Sequence, residues 1–489
     1  MRQGFHIFKK DVRHLWIEIA VALAAAGLFA FIHTHAEFWQ NRARIPQTIA
    51  GLLASFLLPV SWVLLIVRAI HGETLTGDRE FWLTRPYHWR SLLAAKLRFV
   101  VLFVNLPVLA AQAVILQAHG FDLSAELAPL LWNQALLTAA VFLPVAAIAA
   151  LTTGIVQCLL VGLVALAGTL LLTLGLNLRA VAIAGEGWGA MEWVHTDYAL
   201  LIVAIAASAI LFWQYSKRRT VAGRAGAGAA MVILVLGTPV SWRQAFAIQS
   251  WFSQQAAASA IHVRWNSGFQ WMTRALIRPG QGVTLNVPLE IAGVAEGLAA
   301  KPEGLTFSIE RPGGIVWRAE GPQNVTVNGQ LVALRSTIDE SLYWKVKDQR
   351  LTLRGNLYLT LYGNRHDVRV PVNGGAQAVP GIGRCTAVGR PALYFLTCYS
   401  ALRPRAARMS VMFEPHPRVL ADYTARFVPS YSPFPAELSI DPLVKTEAYS
   451  TYAGQLDAVT VSTEEPVAWV RAPLEIGGIR LGAYEATLK

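Results

Sequence analysis

No lysine follows a glycine anywhere in this chain, so the phosphate-cradling GxxxxGK[ST] loop is absent, and any ATP the protein depends on is hydrolysed by another polypeptide. HExxH and GxSxG are missing as well, and His262, His366 and His416 are scattered. Neither a metal centre nor a nucleophile elbow is expected, nor a cofactor or an enzymatic activity. Charge is scarce at 15% of 489 residues, and no acidic residue falls in the middle of a long apolar run, which argues against an ion-driven carrier. Cysteine is rarer still, with three in all. Cys158 lies inside an apolar run and reads as a small packing residue. Cys385 and Cys398, thirteen positions apart, are expected to form a disulfide, worth about 3 kcal/mol in an oxidising compartment, the alternative being two buried thiols.

What the chain has in quantity is apolar length, confined to its first half. Seven runs stand out: Trp16–Ile32, Thr48–Ile70, Leu97–Ala118, Leu127–Leu151, Gly154–Leu176, Ala199–Trp213 and Ala225–Val240. A helix needs about 20 mostly apolar residues to cross a bilayer, and most of these runs suffice. The expected architecture is a membrane bundle of six to seven α-helical spans followed by an all-β sandwich region. If the spans alternate, Arg2, Lys9, Lys10, Arg13, Arg68, Arg79, Arg85, Arg90, Lys96, Arg98, Lys217, Arg218, Arg219 and Arg224 share one side. Only Arg42, Arg44, Arg179 and Arg243 occupy the other. Cationic loops remain in the cytoplasm, so the amino terminus is expected inside the plasma (inner) membrane and everything after the seventh run outside. Those loops also account for much of the +12 net charge, which removes the case for nucleic-acid binding.

Four regions follow: an interfacial helix over 1–15, a membrane domain over 16–244, a helical stalk over 245–280 and a β domain over 281–489. In the first, Phe5, Phe8, Val12, Leu15 and Trp16 share one stripe while Lys10 and Arg13 point away, which suits a helix lying in the bilayer surface or one prolonging the first span into water. In the second, the loop Gly72–Lys96 (GETLTGDREFWLTRPYHWRSLLAAK) is unusual for a connector. Thr76 caps a short helix with Asp78 and Glu80 in its first turn, and Pro86 stops it. Trp82 and Trp89 fit either a docking helix or an aromatic belt.

The order of these parts resembles the membrane (permease) subunit of type-2 ATP-binding-cassette transporters: an interfacial helix, two spans, a loop with Glu80, Arg85-Pro86 and Leu92-Leu93 followed by Lys96, then four more spans. The resemblance covers roughly residues 1–220. It implies that Asp78, Glu80, Trp82, Arg85, Pro86 and Lys96 form the loop that fits a groove on a separate cytoplasmic ATPase. It implies too that Thr152-Thr153-Gly154 makes a second contact, and that two such subunits pair through their spans as a homodimer or heterodimer. The seventh run and the exported half depart from that plan.

Inside the bundle Asn105, Gln112 and Gln157 could line a route or bond between helices, as could Asn133 and Gln134. The loop Asn177–Asp197, with Trp188 and Trp193, is too apolar for a solvated connection and dips into the outer leaflet or rests on it. Beyond residue 281, short alternating segments such as Val283–Ile291, Leu351–Gly363, Glu437–Asp441 and Ala458–Thr463 predict antiparallel strands in one large sandwich or two small ones. This half is expected to receive substrate or engage an envelope partner. The competing expectation for the whole chain is a membrane-anchored interaction or sensor protein that transports nothing.

Overall fold

The computed structural model describes residues 2–35, 44–73, 88–164, 167–168, 192–236, 240, 242–253, 261–265, 276–278, 282–321, 325–328, 331–390, 393–402, 408–414, 434, 438–451 and 456–484. Helices occupy the first half: α1 (Arg2–His14), α2 (Trp16–Thr34), α3 (Arg44–His71), α4 (Trp89–Ala118), α5 (Leu123–Leu151), α6 (Ile155–Val164), α7 (Glu192–Lys217), α8 (Thr220–Leu236) and α9 (Trp242–Ser250). Among the described residues four helices are long and apolar enough to cross a membrane: α2, α4, α5 and Thr196–Lys217 of α7. That is fewer than the expected six to seven. Shorter apolar helices, Phe56–His71, Ile155–Val164 and Thr220–Leu234, fall on the other three runs.

The bundle is apolar inside and outside. Phe29, Leu58, Trp62, Phe99, Ile115 and Phe142 form its buried centre, with Trp62 edge-on to Phe142 at 5.5 Å. Phe31, Leu102, Leu131, Leu163, Leu201 and Phe212 lie exposed on its outside. A helix set in water shows one apolar stripe, whereas apolar residues all round are the mark of helices embedded in lipid. Both α4 and α5 contain a π-turn, at Val101–Asn105 and at Thr138–Phe142, and each is followed at once by Leu-Pro. Proline has no N–H to close the α-helical ladder, and one residue of wider winding absorbs the mismatch. Asp122 caps α5 by accepting from Ser124 N at 2.9 Å.

Among the described residues the second half holds three antiparallel sheets. Strands β1 (His262–Trp265), β2 (Leu276–Arg278), β3 (Gly282–Ala292), β6 (Val325–Asn328) and β7 (Leu331–Ile338) make one, in the order β1-β3-β7-β6 with β2 also on β3. A second runs β12 (Arg408–Glu414), β14 (Ala458–Ile479), β8 (Leu351–Pro371), β4 (Ala299–Arg311), β5 (Gly314–Gly321). The third runs β13 (Leu443–Ser450), β11 (Leu393–Ala401), β10 (Gly383–Arg390), β9 (Gln377–Val379). A short helix, α10 (Glu340–Val346), precedes β8.

Among the described residues there are two β cores, and the long strands β8 and β14 serve both. One gathers Val283, Leu289, Phe307, Leu353, Leu359 and Val470; the other gathers Val370, Cys385, Leu396, Val411, Val459 and Val461. Where β14 passes from one to the other its register against β8 slips twice, between Thr463 and Glu465 and between Pro466 and Ala468. A bulge bends a strand and tolerates a proline that an unbroken central strand would not. The disulfide expectation holds: Cys385 and Cys398 are directly opposed on β10 and β11 and joined at an S–S distance of 2.05 Å.

Two expectations need correction. Residues 245–280 are not one helical stalk, because after the nine-residue α9 the chain enters the β region and β1 and β2 pair with β3. Glu437–Asp441 is not a strand either: its described residues, 438–441, are bends lying against the helices.

Candidate functional site: a buried ion cluster and a docked loop

The helix ends divide into two groups. At one end α1 lies beside the start of α4 and the end of α3. At the other, the ends of α2 and α4 and the first turns of α5 and α7 meet the β half.

At the α1 end the side chain of Lys96 is buried, 5% exposed; it donates to Asp11 Oδ2 at 2.8 Å and forms an ion pair with Glu73 Oε2 at 3.0 Å. Both carboxylates are equally buried, and Lys10 reaches Glu73 Oε1 at 3.2 Å. Burial pushes the Asp11 carboxyl above its ordinary value, against the pull of Lys96. Burial acts on Glu73 in the same sense, but Lys96 and Lys10 outweigh it and its carboxyl sits below the ordinary value. Two cations and two carboxylates balance, which is the condition for keeping charges out of water.

Asp11 comes from α1, Glu73 from the turn that ends α3, and Lys96 from the second turn of α4. Residues 74–87, with Asp78, Glu80, Trp82, Arg85 and Pro86, lie outside the described residues, but both roots of that loop are held in this cluster. The expected second contact is adjacent. His71 Nε2 donates to Ala149 O at 3.0 Å and lies 3.3 Å from the buried Thr152 Oγ1, so the end of α3 is tied to the turn at 152–154. Gln157, in the first turn of α6, is bonded to that turn: its Oε1 accepts from Thr153 N and Thr153 Oγ1, both at 2.9 Å.

At the opposite end the polar residues of α4 and α5 form a chain of hydrogen bonds. Asn105, in one π-turn, donates to Thr138 Oγ1 in the other at 2.8 Å and lies 3.4 Å from Gln134 Oε1. Gln134 Nε2 donates to Gln112 Oε1 at 3.0 Å. Gln112 Nε2 in turn donates to Ile440 O at 2.9 Å, and Asn133 exchanges two bonds with the Ser439 backbone, at 2.8 and 3.1 Å. Asn133 is ten residues into α5, so the loop enters about 15 Å beyond the first residue of that helix. Backbone outside a helix is tolerated at such depth only where protein groups satisfy it, and Gln112 and Asn133 do so. Asn105 and Gln112 are therefore engaged with protein groups here.

Around this loop His33 faces Asp441 at 3.6 Å, Arg384 donates to Gly120 O at 2.9 Å, and Trp132 stacks on Phe434 at 4.9 Å. No family model, curated protein or solved structure matches the chain. A second contact joins Trp193, Phe246, Tyr358 and Trp469 in one buried cluster, with Phe246 edge-on to Tyr358 at 4.8 Å. Trp193 thus packs against the β half and does not rest at a lipid surface; Trp188 lies outside the described residues.

Sequence reasoning missed Asp11 and Glu73 as site residues. One signal was available for the first: Asp11 is the only acidic residue in α1, whose other charged side chains are basic.

Proposed function

We propose that this chain is the membrane subunit of an ATP-binding-cassette exporter or envelope-assembly machine, powered by a separate cytoplasmic ATPase and paired through its spans with a second membrane subunit. The observation that carries the reading is the buried cluster of Asp11, Glu73 and Lys96, which clamps the interfacial helix to both roots of the loop 74–87. A loop that receives force from an ATPase must pass it to helices without flexing. Roots locked by a desolvated ion cluster, with a link through His71 to the second turn, supply that stiffness. At the far end, the loop at Ser439 and Ile440 would carry the same movement into the β half, which in this reading faces the outside and receives substrate or a partner.

The test is co-purification. Co-expressed with the ATPase encoded by a neighbouring reading frame, the wild-type chain retains it through affinity purification, and Glu80→Ala with Arg85→Ala releases it. Undiminished association in the double variant, or no ATPase bound to the wild type, would instead favour an anchored interaction or sensor protein.

A further inference from the structure

We propose that α1 carries a binding site for the phosphate headgroup of an anionic phospholipid. An open surface cavity of about 500 Å³ lies along this helix and is lined by His6, Lys9, Lys10, Arg13 and His14. At 100° per residue these five occupy one arc of about 140°. Two other arcs complete the helix. Ile7 and Asp11 are buried against the bundle, while Phe5 is 62% exposed and borders the basic arc beside Lys9; Trp16, the first residue of α2, is 64% exposed.

The charge in this cavity is largely uncompensated. Asp11, the one acid of α1, faces the other way and is held by Lys96, and only Lys10 has an acidic partner, Glu73, among the described residues. A phosphate accepts charge-assisted hydrogen bonds from several cations at once, and Lys9 and Arg13, one helical turn apart, are placed to share one. The exposed Phe5 selects the source of that phosphate. It offers acyl chains an apolar surface on the same helix as the cations, which suits a lipid and gives a free phosphate nothing. This site is independent of any ATPase.

Native mass spectrometry of the purified full-length protein in detergent tests the assignment, by titration with dioctanoyl phosphatidic acid, dioctanoyl phosphatidylcholine and inorganic phosphate. Phosphatidic acid is expected to bind at least about tenfold more tightly than either of the others, and to weaken as salt is raised. Lys9→Gln with Arg13→Gln is expected to reduce its affinity about thirtyfold, the loss for two cations beside an anionic surface. Lys445→Gln, on the β half, should change nothing. Both α1 side chains are exposed, and an unchanged unfolding midpoint verifies that the variant is folded. Equal binding of phosphatidylcholine would overturn the proposal in favour of apolar partition, and equal binding of inorganic phosphate in favour of a free-anion site. An unaltered affinity in the double variant would place the lipid elsewhere. Displacement of bound phosphatidic acid by a soluble acidic peptide at comparable concentration would make the cavity a protein-docking surface.

Discussion

Lys96 and Glu303 illustrate opposite outcomes for a charge taken out of water. Lys96 has two carboxylates within 3.0 Å, so replacing it by methionine strands two buried anions with Lys10 alone for company. Lys96→Met is expected to cost about 3–5 kcal/mol, seen as a lower unfolding temperature in detergent, and adding Asp11→Asn should restore part of it. Glu303, on β4, has a buried side chain whose partner Lys301 is 3.5 Å away and 37% exposed. Burial raises the Glu303 carboxyl above its ordinary value, the weaker pull of Lys301 notwithstanding. A raised folded value means that the folded state binds the proton more tightly than the unfolded one. The ionised form therefore costs stability above the raised value, and the cost is relieved as pH falls from there toward the ordinary Glu range. Glu303→Gln should stabilise the β half at neutral pH by on the order of 1 kcal/mol and flatten this dependence, as followed by thermal unfolding from pH 8 to about pH 5.

Residues 438–442, just before β13, bond the β half to the helices. Their carbonyls have two donors from the helices, and Asn133→Leu removes one while leaving the Ser439 backbone buried. An unpaired buried group costs about 1–3 kcal/mol, so this variant should raise hydrogen exchange across residues 438–442 while leaving α2 and α4 protected. Paired cysteines at 133 and 439 should cross-link under mild oxidation, whereas a pair at 133 and 449 should not. Little of this element was legible in advance. Glu437–Asp441 alternates polar and apolar residues as a strand does, and alternation says nothing of whether a sheet edge or a helix end receives it. Likewise the segments Leu351–Gly363 and Ala458–Thr463 end well short of β8 and β14, because the Gly363–Asn364 and Glu465–Pro466 signals that usually end a strand here mark bulges and bends inside one.

For the whole molecule the prediction concerns sidedness. The α1 end and the β half sit at opposite ends of the helices, so one cannot share a compartment with the other if the helices cross the membrane. Impermeant maleimide applied to intact cells should label a cysteine placed after Lys489 and spare one placed at Arg218. Labelling of the second and not the first would reverse the orientation. Mass spectrometry of unreduced peptides should find Cys385 joined to Cys398 if that half lies in an oxidising compartment, and Cys398→Ser should then lower its stability by about 3 kcal/mol.

Runs of apolar residues determined the helices by themselves, and alternation with Gly, Asn and Pro punctuation determined most strands, because both depend on neighbours within a few positions. The cysteine pairing was equally local, thirteen residues apart on a hairpin. Only the tertiary structure decided what the polar residues do. Asp11 meets Lys96 across 85 positions and Gln112 meets Ile440 across 328, and a side chain that bonds to a distant backbone carries the same letters as one that faces a channel. Hydropathy records how dry a residue prefers to be; which group shares that dry place depends on how the chain closes on itself.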